Sequence, residues 1–353
     1  RLFYIISIMS TEKKTVFLSG ATGFIAQHIV KQLLDSGKFK VIGSVRSEDK
    51  ANSLAKNFNN NPDLSFVYVK DIADPVAFDE AFKEHGPKLD YVIHSASPFT
   101  YDITDIQKDL ITPAKIGSAG IFKASVNYAP NLKHFVVTSS FAAIVNPSKA
   151  ADPNTVFDES SWNPSTLEEA LQNEFNGYRY SKKIAEKTIW DLSKELESKF
   201  NITAVNPVFV FGPQCFDSSA TGNLNTSCEF INKLVHSKIG DDISSSINGA
   251  AIDVRDVARA HIEPLLNSEK FNGQRLLLSD VRFGNQTLVD ILNEFPELEG
   301  KIAKGVPHSD DNIAATKAKI VNDKTRELLG FKFISLEDSV QDTAKQILKV
   351  QNV

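Results

Sequence analysis

Cysteine is scarce in this chain: Cys215 and Cys228 are the only two, and they form no C-x-x-C pair. That speaks against a disulfide framework and against a zinc site, so no metal is expected. It suits a reducing compartment, taken here to be cytoplasmic. Basic excess is lacking too. With 39 Lys and Arg against 44 Asp and Glu, the formal charge is -5, which leaves no basic stripe for nucleic acid or an anionic membrane surface. No apolar run reaches the roughly 18 residues of a spanning helix, so no membrane partner is expected. Methionine occurs once, at Met9, behind the apolar octamer Arg1–Ile8 (RLFYIISI). The octamer lacks the small-residue cleavage site of a signal peptide. Met9 is read as the native start, and residues 1–10 as a non-native or disordered extension.

What remains is ordinary globular material. Of 353 residues, 42% are hydrophobic and 24% charged, enough for one large domain or two intimate ones. Thr15–Ser19 reads as a strand ending at a glycine. After it, Phe24, Ile25, Ile29, Val30, Leu33 and Leu34 recur at helical spacing. Further strands are predicted at Lys40–Val45, Ser65–Val69, Tyr91–His94, Phe135–Thr138, Ile202–Asn206 and Arg275–Leu278. Helices are predicted at Ala77–His85, over most of Asp105–Tyr128, at Asn176–Phe200 and at Leu336–Val350. The spacing of Tyr180, Ile184, Thr188, Leu192 and Leu196 carries the helix over 176–200. Strands that alternate with helices and are apolar almost throughout predict an α/β fold, a Rossmann-type doubly wound parallel sheet. Beyond Gly212 the alternation breaks, and a smaller C-terminal substrate-binding lobe is expected to close over the carboxyl edge of the sheet.

The turn after the first strand is Gly20-Ala21-Thr22-Gly23-Phe24-Ile25-Ala26, a G-x-x-G-x-x-A pattern. Glycines permit a tight turn and let backbone amides approach a pyrophosphate, and small Ala26 lets the helix pack closely on the strand. Gly20, Thr22, Gly23, Phe24 and Ile25 are the candidate contacts; the bland alternative is a strand–helix turn with no ligand. At the end of the second strand an NAD site usually carries an acid for the ribose 2′-hydroxyl. Here Arg46 stands there, with Lys50 four residues on. A guanidinium can grip a 2′-phosphate bidentately, which predicts NADPH/NADP+, unless Glu48 and Asp49 pair with these bases. Asp71 and Ile72 are candidates for the adenine, with a helix cap by Asp71 or Asp74 as the alternative. Ser95 and Ala96 are small residues that let backbone come near the cofactor. His94 continues an apolar strand and reads as a core histidine.

The fifth strand runs into Ser139 and Ser140. Downstream, Tyr178 and Lys182 are i and i+4 on one helical face. A neighbouring ammonium, together with the positive nicotinamide ring, is expected to lower the phenol's pKa. The tyrosine then acts as general acid on the oxygen of a reduced carbonyl, with a serine hydroxyl bonding the same oxygen. Tyr180 stands two residues from Lys182 and faces elsewhere.

In this order the motifs resemble those of the extended short-chain dehydrogenase/reductases. Gly20–Ala26, Ser140 and Tyr178/Lys182 match that family's cofactor turn and Ser-Tyr-Lys triad. The segment Asn206–Pro213 resembles the stretch that passes the nicotinamide, and Ile252–Ala258 the later D-V-R-D-V element. The runs SGATGFIAQHIV, HSASPF, DITD, LNTSCE and LLGFKF are similar to those of the yeast NADPH-dependent methylglyoxal/isovaleraldehyde reductases, which are dihydroflavonol reductase-like. The resemblance implies that Ser140 polarises the carbonyl, Tyr178 donates the proton, and Lys182 holds the nicotinamide ribose and tunes Tyr178. It further implies Pro207 and Val210 as cofactor neighbours, and Arg46 and Lys50 on the 2′-phosphate. Arg179-Tyr180 stand where smaller residues are expected, which affects packing beside the site.

Residues 11–210 are thus expected to be mainly an NADP-binding Rossmann domain with the catalytic Ser, Tyr and Lys. Residues 211–353 are expected to be mainly the substrate lobe, with segments returning to the first domain. Phe99, Tyr101, Phe141, Phe209 and Phe216 are candidates for an apolar pocket, and Asn225 or Ser227 for polar contacts. The expected activity is NADPH-dependent reduction of aldehydes, α-dicarbonyls or ketones by a monomer or homodimer. Three other readings stay open: an NAD-retaining nucleotide-sugar epimerase or dehydratase, a non-catalytic NADP-sensing protein, and a steroid-type hydroxyl oxidase.

Overall fold

The computed structural model describes residues 12–97, 103–243 and 247–351; the extension expected over 1–10 lies outside them. The chain opens with β1 (Lys14–Ser19), α1 (Phe24–Asp35), β2 (Phe39–Val45), α2 (Glu48–Asn57), β3 (Leu64–Tyr68), α3 (Asp79–His85) and β4 (Tyr91–His94). A π-helical turn over Gln107–Ile111 leads into α4 (Thr112–Tyr128), followed by β5 (His134–Thr138), the two-residue β6 (Val156–Phe157), α5 (Leu167–Ala170) and α6 (Glu174–Glu195). Then come β7 (Asn201–Pro207), β8 (Phe209–Phe211), α7 (Cys228–Val235), β9 (Asn248–Asp253), α8 (Val254–Leu266), α9 (Ser268–Phe271), β10 (Gln274–Leu278) and β11 (Val281–Gly284). The chain closes with α10 (Asn285–Asn293), β12 (Lys319–Ile320), α11 (Asp323–Leu329) and α12 (Leu336–Val350).

Among the described residues the main sheet has seven strands in the order β10-β7-β5-β4-β1-β2-β3, and every pairing is parallel. Strand order reverses direction between β1 and β4, where doubly wound sheets bind their ligands. Register matters there: Ser19 lies beside His94, His94 beside Val137, and Thr138 beside Val205. The carboxyl ends of β1, β4, β5 and β7 therefore form one edge.

Strand residues alternate between two cores. Val16 and Leu18 join Ile29, Leu33, Val257 and Leu276 on one face. Phe17 joins Phe82, Phe122, Phe135 and Ile189 on the other. A third cluster, with Phe211, Ile231, Phe283, Leu288, Val340 and Ile347, forms the C-terminal part. It surrounds a three-stranded sheet, β11-β9-β8.

Three expectations need correction. The helix predicted to reach Phe200 ends at Glu195, because Glu197 turns left-handed (φ 48) and Phe200 then packs into the second core. The helix expected from Ala77 starts at Asp79, since the preceding residues form a turn on Asp74. The stretch after Gly212 holds β9 and β11 as well as the short strand anticipated near 275; Gly249, Ala250 and Ala251 carry too little side chain to announce a strand.

The D-V-R-D-V element is a structural knot. Asp253, at 0% side-chain exposure, caps α8 by accepting the Arg255 N–H at 2.8 Å. The Arg255 guanidinium grips both oxygens of Asp253 at 2.8 Å and reaches Asp342 on α12 at 2.8 Å. Asp256 is buried and accepts the Ile334 N–H at 2.6 Å. Desolvation pushes its carboxyl up to about 6, and the nearby Asp253 adds to the rise. The folded state thus binds this proton more tightly than the unfolded chain, whose value is near 3.8. The favourable contribution is complete below about pH 4 and is lost as pH climbs through about 6. Asp256→Asn keeps an acceptor for Ile334 and removes that loss. The variant is expected to exceed the parent by on the order of 2 kcal/mol at about pH 8 and to match it near pH 4. Thermal midpoints measured across that range check this; an equal or lower midpoint at the alkaline end counts against it.

Candidate active site

The turn between β1 and α1 is fastened to β2. Gly20 N–H donates to Ser44 Oγ and Ala21 N–H to the Ser44 carbonyl, each at 3.0 Å. Gly20 has φ +70, and a Cβ added there would stand 2.9 Å from the Ala96 Cα. Glycine is needed on both counts. At Gly43 a Cβ would come 2.8 Å from that of Ala21, so the turn lies directly on β2. Thr22 and Gly23 are exposed, while Phe24 and Ile25 are half-buried. The first N–H groups of α1 have no carbonyl one turn back. No side chain caps them, and no acid stands in the first turn. Exposed amides at the positive end of a helix are a phosphate site.

β2 ends at Val45, and Arg46 and Lys50 are exposed beyond it. Among the described residues no acid pairs with either base. Glu48 and Asp49 sit in the first turn of α2, which Ser47 caps by accepting the Lys50 N–H at 3.4 Å. Both bases thus stand exposed just beyond the end of β2. Asp71 is exposed and accepts the Ala73 N–H at 2.8 Å, and Asp74 accepts the Val76 N–H at 3.0 Å. These are local turns, and neither residue caps α3, whose N-cap is Phe78. Ile72 is half-buried against Gly117 of α4.

Ser19 Oγ accepts the Ser95 and Ala96 N–H groups, each at 3.0 Å, and lies 2.8 Å from His94 Nδ1. With two N–H donors already on that oxygen, the serine proton goes to Nδ1. Burial pushes His94 down to about 3. It is a neutral, satisfied core histidine. The amides of Ser95 and Ala96 turn to β1. Pro207 is buried at the end of β7, and Val210 packs in the first core with Ala26, Ile29 and Ile252.

A narrow cleft is lined by Ile72, His94, Ala96, Ser97, Ser139, Lys182 and Glu186 among others. Lys182 Nζ donates to Ser97 Oγ at 2.8 Å and lies 5.7 Å from the centre of the Tyr178 ring. Burial lowers Lys182 to about 8. Ser140 begins a short 3-10 turn, its Oγ accepting the Ala142 N–H at 3.1 Å. Its hydroxyl lies near enough to Tyr178 to oppose the effect of burial on the phenol. Ser140, Tyr178 and Lys182 thus converge. The lowering expected from Lys182 and the nicotinamide ring together is opposed by burial, which raises Tyr178 above its ordinary value; the nearby Ser140 hydroxyl only partly offsets that rise. The Lys182 ammonium lies beside the ring and donates its hydrogen bond to Ser97. Arg179 stacks on Phe175 at 3.8 Å and Tyr180 lies beneath Lys183 at 5.3 Å, so both point away from the triad.

On the substrate side, Phe99 and Tyr101 lie outside the described residues. Phe141 is half-buried edge-on to Phe157, with ring centres 5.9 Å apart. Phe209 packs edge-on to Phe283 at 5.6 Å and to Phe230 at 6.4 Å, over Gly249. Asn225 Oδ1 accepts from Gln214 Nε2 at 2.9 Å, and Ser227 starts α7 without a side-chain cap. Phe216 does not join them. It packs on Phe58 at 4.8 Å, in the cluster of Ala21, Val45 and Leu54 on the α2 side of the glycine turn.

Sequence reasoning did not single out Glu186, and it named Ser97, Ser139, Asn206 and Arg275 only as parts of strand ends and segments, with no role of their own. One signal was present: Glu186 follows Lys182 by four residues and Tyr178 by eight, so an acid lies on the same helical face.

A parallel sheet with a phosphate-ready glycine turn at its switch point and a Ser-Tyr-Lys cluster on the adjoining edge is the layout of a dinucleotide-dependent dehydrogenase/reductase. The chain belongs to the NAD dependent epimerase/dehydratase family, whose model matches residues 16–276, within the extended short-chain dehydrogenase/reductases. It is 47% identical to the NADPH-dependent methylglyoxal reductase Gre2 of Saccharomyces cerevisiae over 96% of this chain and 99% of that protein. The crystal structure of the yeast methylglyoxal/isovaleraldehyde reductase Gre2 complexed with NADPH superposes with TM-score 0.91 at 47% identity, covering 95% of this chain and 98% of that one. Gre2 of Candida albicans in complex with NADPH gives TM-score 0.91 at 46% identity, covering 96% and 99%.

Gly20→Ala should cost on the order of 1–2 kcal/mol for the left-handed backbone alone, and more because the methyl meets the Ala96 backbone. A lowered thermal midpoint with dinucleotide binding abolished is the expected result. Near-parental affinity by fluorescence titration contradicts the tight-turn role.

Proposed function

We propose that this protein reduces aldehydes, α-dicarbonyls or ketones to alcohols with NADPH, as a cytoplasmic monomer or homodimer. The observation that carries the reading is the convergence of Ser140 and Lys182 on Tyr178 beside the cleft at the sheet edge. The residues present fit the cofactor: Gly20 leaves a cradle that a Cβ would fill, α1 begins uncapped, and Arg46 and Lys50 are exposed beyond β2. Residues 11–210 serve mainly as the dinucleotide domain and 211–353 mainly as the lobe over the substrate.

Gly20, Thr22, Gly23, Phe24 and Ile25 hold the pyrophosphate, and Arg46 and Lys50 hold the 2′-phosphate. Asp71 and Ile72 meet the adenine. Ser95, Ala96, Pro207 and Val210 flank the nicotinamide half, and Lys182 bonds its ribose. When bound, NADPH supplies the hydride. The protein supplies the proton and the geometry. Ser140 Oγ bonds the carbonyl oxygen, and Tyr178 donates its phenolic proton to that oxygen as negative charge develops there. A phenol raised by burial holds its proton at neutral pH, as an acid must. Lys182, lowered to about 8, is mostly an ammonium there and can bond ribose hydroxyls while steadying the phenolate left after transfer. Phe141, Phe209 and Asn225 are the described candidates for the substrate side. An NAD-retaining epimerase would need an acid where Arg46 stands, which weighs against that alternative.

The test is cofactor oxidation by the purified protein with methylglyoxal, isovaleraldehyde, a diketone and an aryl ketone, using NADPH and NADH in parallel. Turnover with NADPH and little with NADH is expected. Tyr178→Phe should bind NADPH normally yet lose about a hundredfold or more in kcat; near-normal turnover removes Tyr178 as the acid. Arg46→Asp should weaken NADPH roughly ten- to a hundredfold and leave NADH little changed. Equal losses for both would defeat the 2′-phosphate role.

A further inference from the structure

Glu186 lies on α6 beneath the cleft, fully buried. A carboxylate there survives only with donors around it. Oε1 accepts from Arg275 Nε at 2.6 Å and from Trp190 Nε1 at 3.2 Å. Oε2 accepts from Ser139 Oγ at 2.5 Å, Asn206 Nδ2 at 2.7 Å and a terminal Arg275 nitrogen at 3.3 Å. Arg275 is itself sealed: it donates to the carbonyls of Glu159 and Ser161 at 3.0 and 2.5 Å and stacks on Trp162 at 3.9 Å.

For stability alone, a buried ion pair is often no better than apolar packing. What this one adds is direction. Besides Trp190, its neutral donors are the residue next to Ser140 and the residue that holds Ser140, since Asn206 Nδ2 also donates to the Ser140 carbonyl at 3.2 Å. Asn206 Oδ1 is buried with no partner among the described residues, so its amide is held by the bonds it donates. Tyr178 and Glu186 share one helix, eight residues apart. Glu186 therefore measures the distance from that helix to the end of β5, and with it where the Ser140 hydroxyl meets Tyr178.

We propose that the Glu186–Arg275 pair is a positioning unit for the reaction, acting through Ser139 and Asn206 to set Ser140 against Tyr178 while touching neither substrate nor cofactor. This rests on the assignment of Tyr178 and Ser140 made above.

The test compares Glu186→Gln, Ser139→Ala, Ser140→Ala, Tyr178→Phe and the double variant Glu186→Gln/Ser140→Ala. Glu186→Gln keeps the shape but turns an NH2 toward Arg275 and Asn206; it should lower kcat by about tenfold or more. NADPH affinity by fluorescence titration should stay within about threefold. Ser139→Ala leaves the ion pair whole and should lower kcat by a smaller factor; it decides the matter if Glu186→Gln does not fold. The distinguishing readout is non-additivity: in the Ser140→Ala background, Glu186→Gln should cost almost nothing further. An equal loss in both backgrounds, or parental kcat in Glu186→Gln and Ser139→Ala alike, overturns this inference alone. Turnover retained by Tyr178→Phe overturns the acid assignment and the inference with it.

Discussion

The fold turns on a charge that has left water. An effective penalty of several kcal/mol accompanies each buried ion, and Glu186 meets it with a guanidinium from a strand that lies 89 residues later in the chain. β10 must therefore return to the sheet edge beside β7 before α6 can bury its carboxylate. The sheet is not complete after the first two hundred residues: the strand that closes its edge arrives after the chain has built α7, β9 and α8. Sheet, catalytic helix and the later half of the sequence are joined at one ion pair.

Polar groups gather at the carboxyl edge of that sheet, and apart from the Asn206 Oδ1 those described above are answered by a neighbour. Ser19 takes two backbone amides and gives its proton to His94. Thr138 meets Nε2 of His261 at 2.7 Å, whose Nδ1 lies 2.8 Å from the Val257 carbonyl, and burial drives that ring down to about 4. These histidines are neutral at physiological pH and serve as hydrogen-bonding spacers. The proton chemistry falls instead to groups at the cleft. Burial acts there in opposite senses on an acid and a base: it holds the proton on Tyr178 and loosens it on Lys182. Both shifts come from desolvation of the charged form.

The strands of the main sheet were legible because they are short apolar runs bounded by turn residues. The glycine turn, Arg46 and the Tyr178/Lys182 pair were legible because local spacing carries them. What sequence reading missed depends on long-range packing. β9 begins with Asn-Gly-Ala-Ala, which has no β-signature until Phe209 and Phe283 cover Gly249. Phe216 is one of 24 phenylalanines, and nothing local says that it packs on Phe58. The sign of the Tyr178 shift needed the burial of the phenol, which no local spacing shows. Gly177 reads as a flaw inside a helix until Ile106 is seen packed where its side chain would be.

Three buried carboxylates show how far partners decide the behaviour of one chemical group. Glu186 is gripped by Arg275 and binds the catalytic edge together. Asp253 is gripped by Arg255, which also holds Asp342, so the same fork pins α12 to the start of α8. Asp256 has a backbone amide in place of a guanidinium fork, and there desolvation outweighs the bond. A planar guanidinium offers two parallel donors to two oxygens, which fixes orientation as well as charge. An arginine is therefore found where the carboxylate must keep one orientation, beneath Ser140 and where the start of α8 meets α12. A lone amide suffices at Asp256, where the loop to Ile334 needs only to be held near.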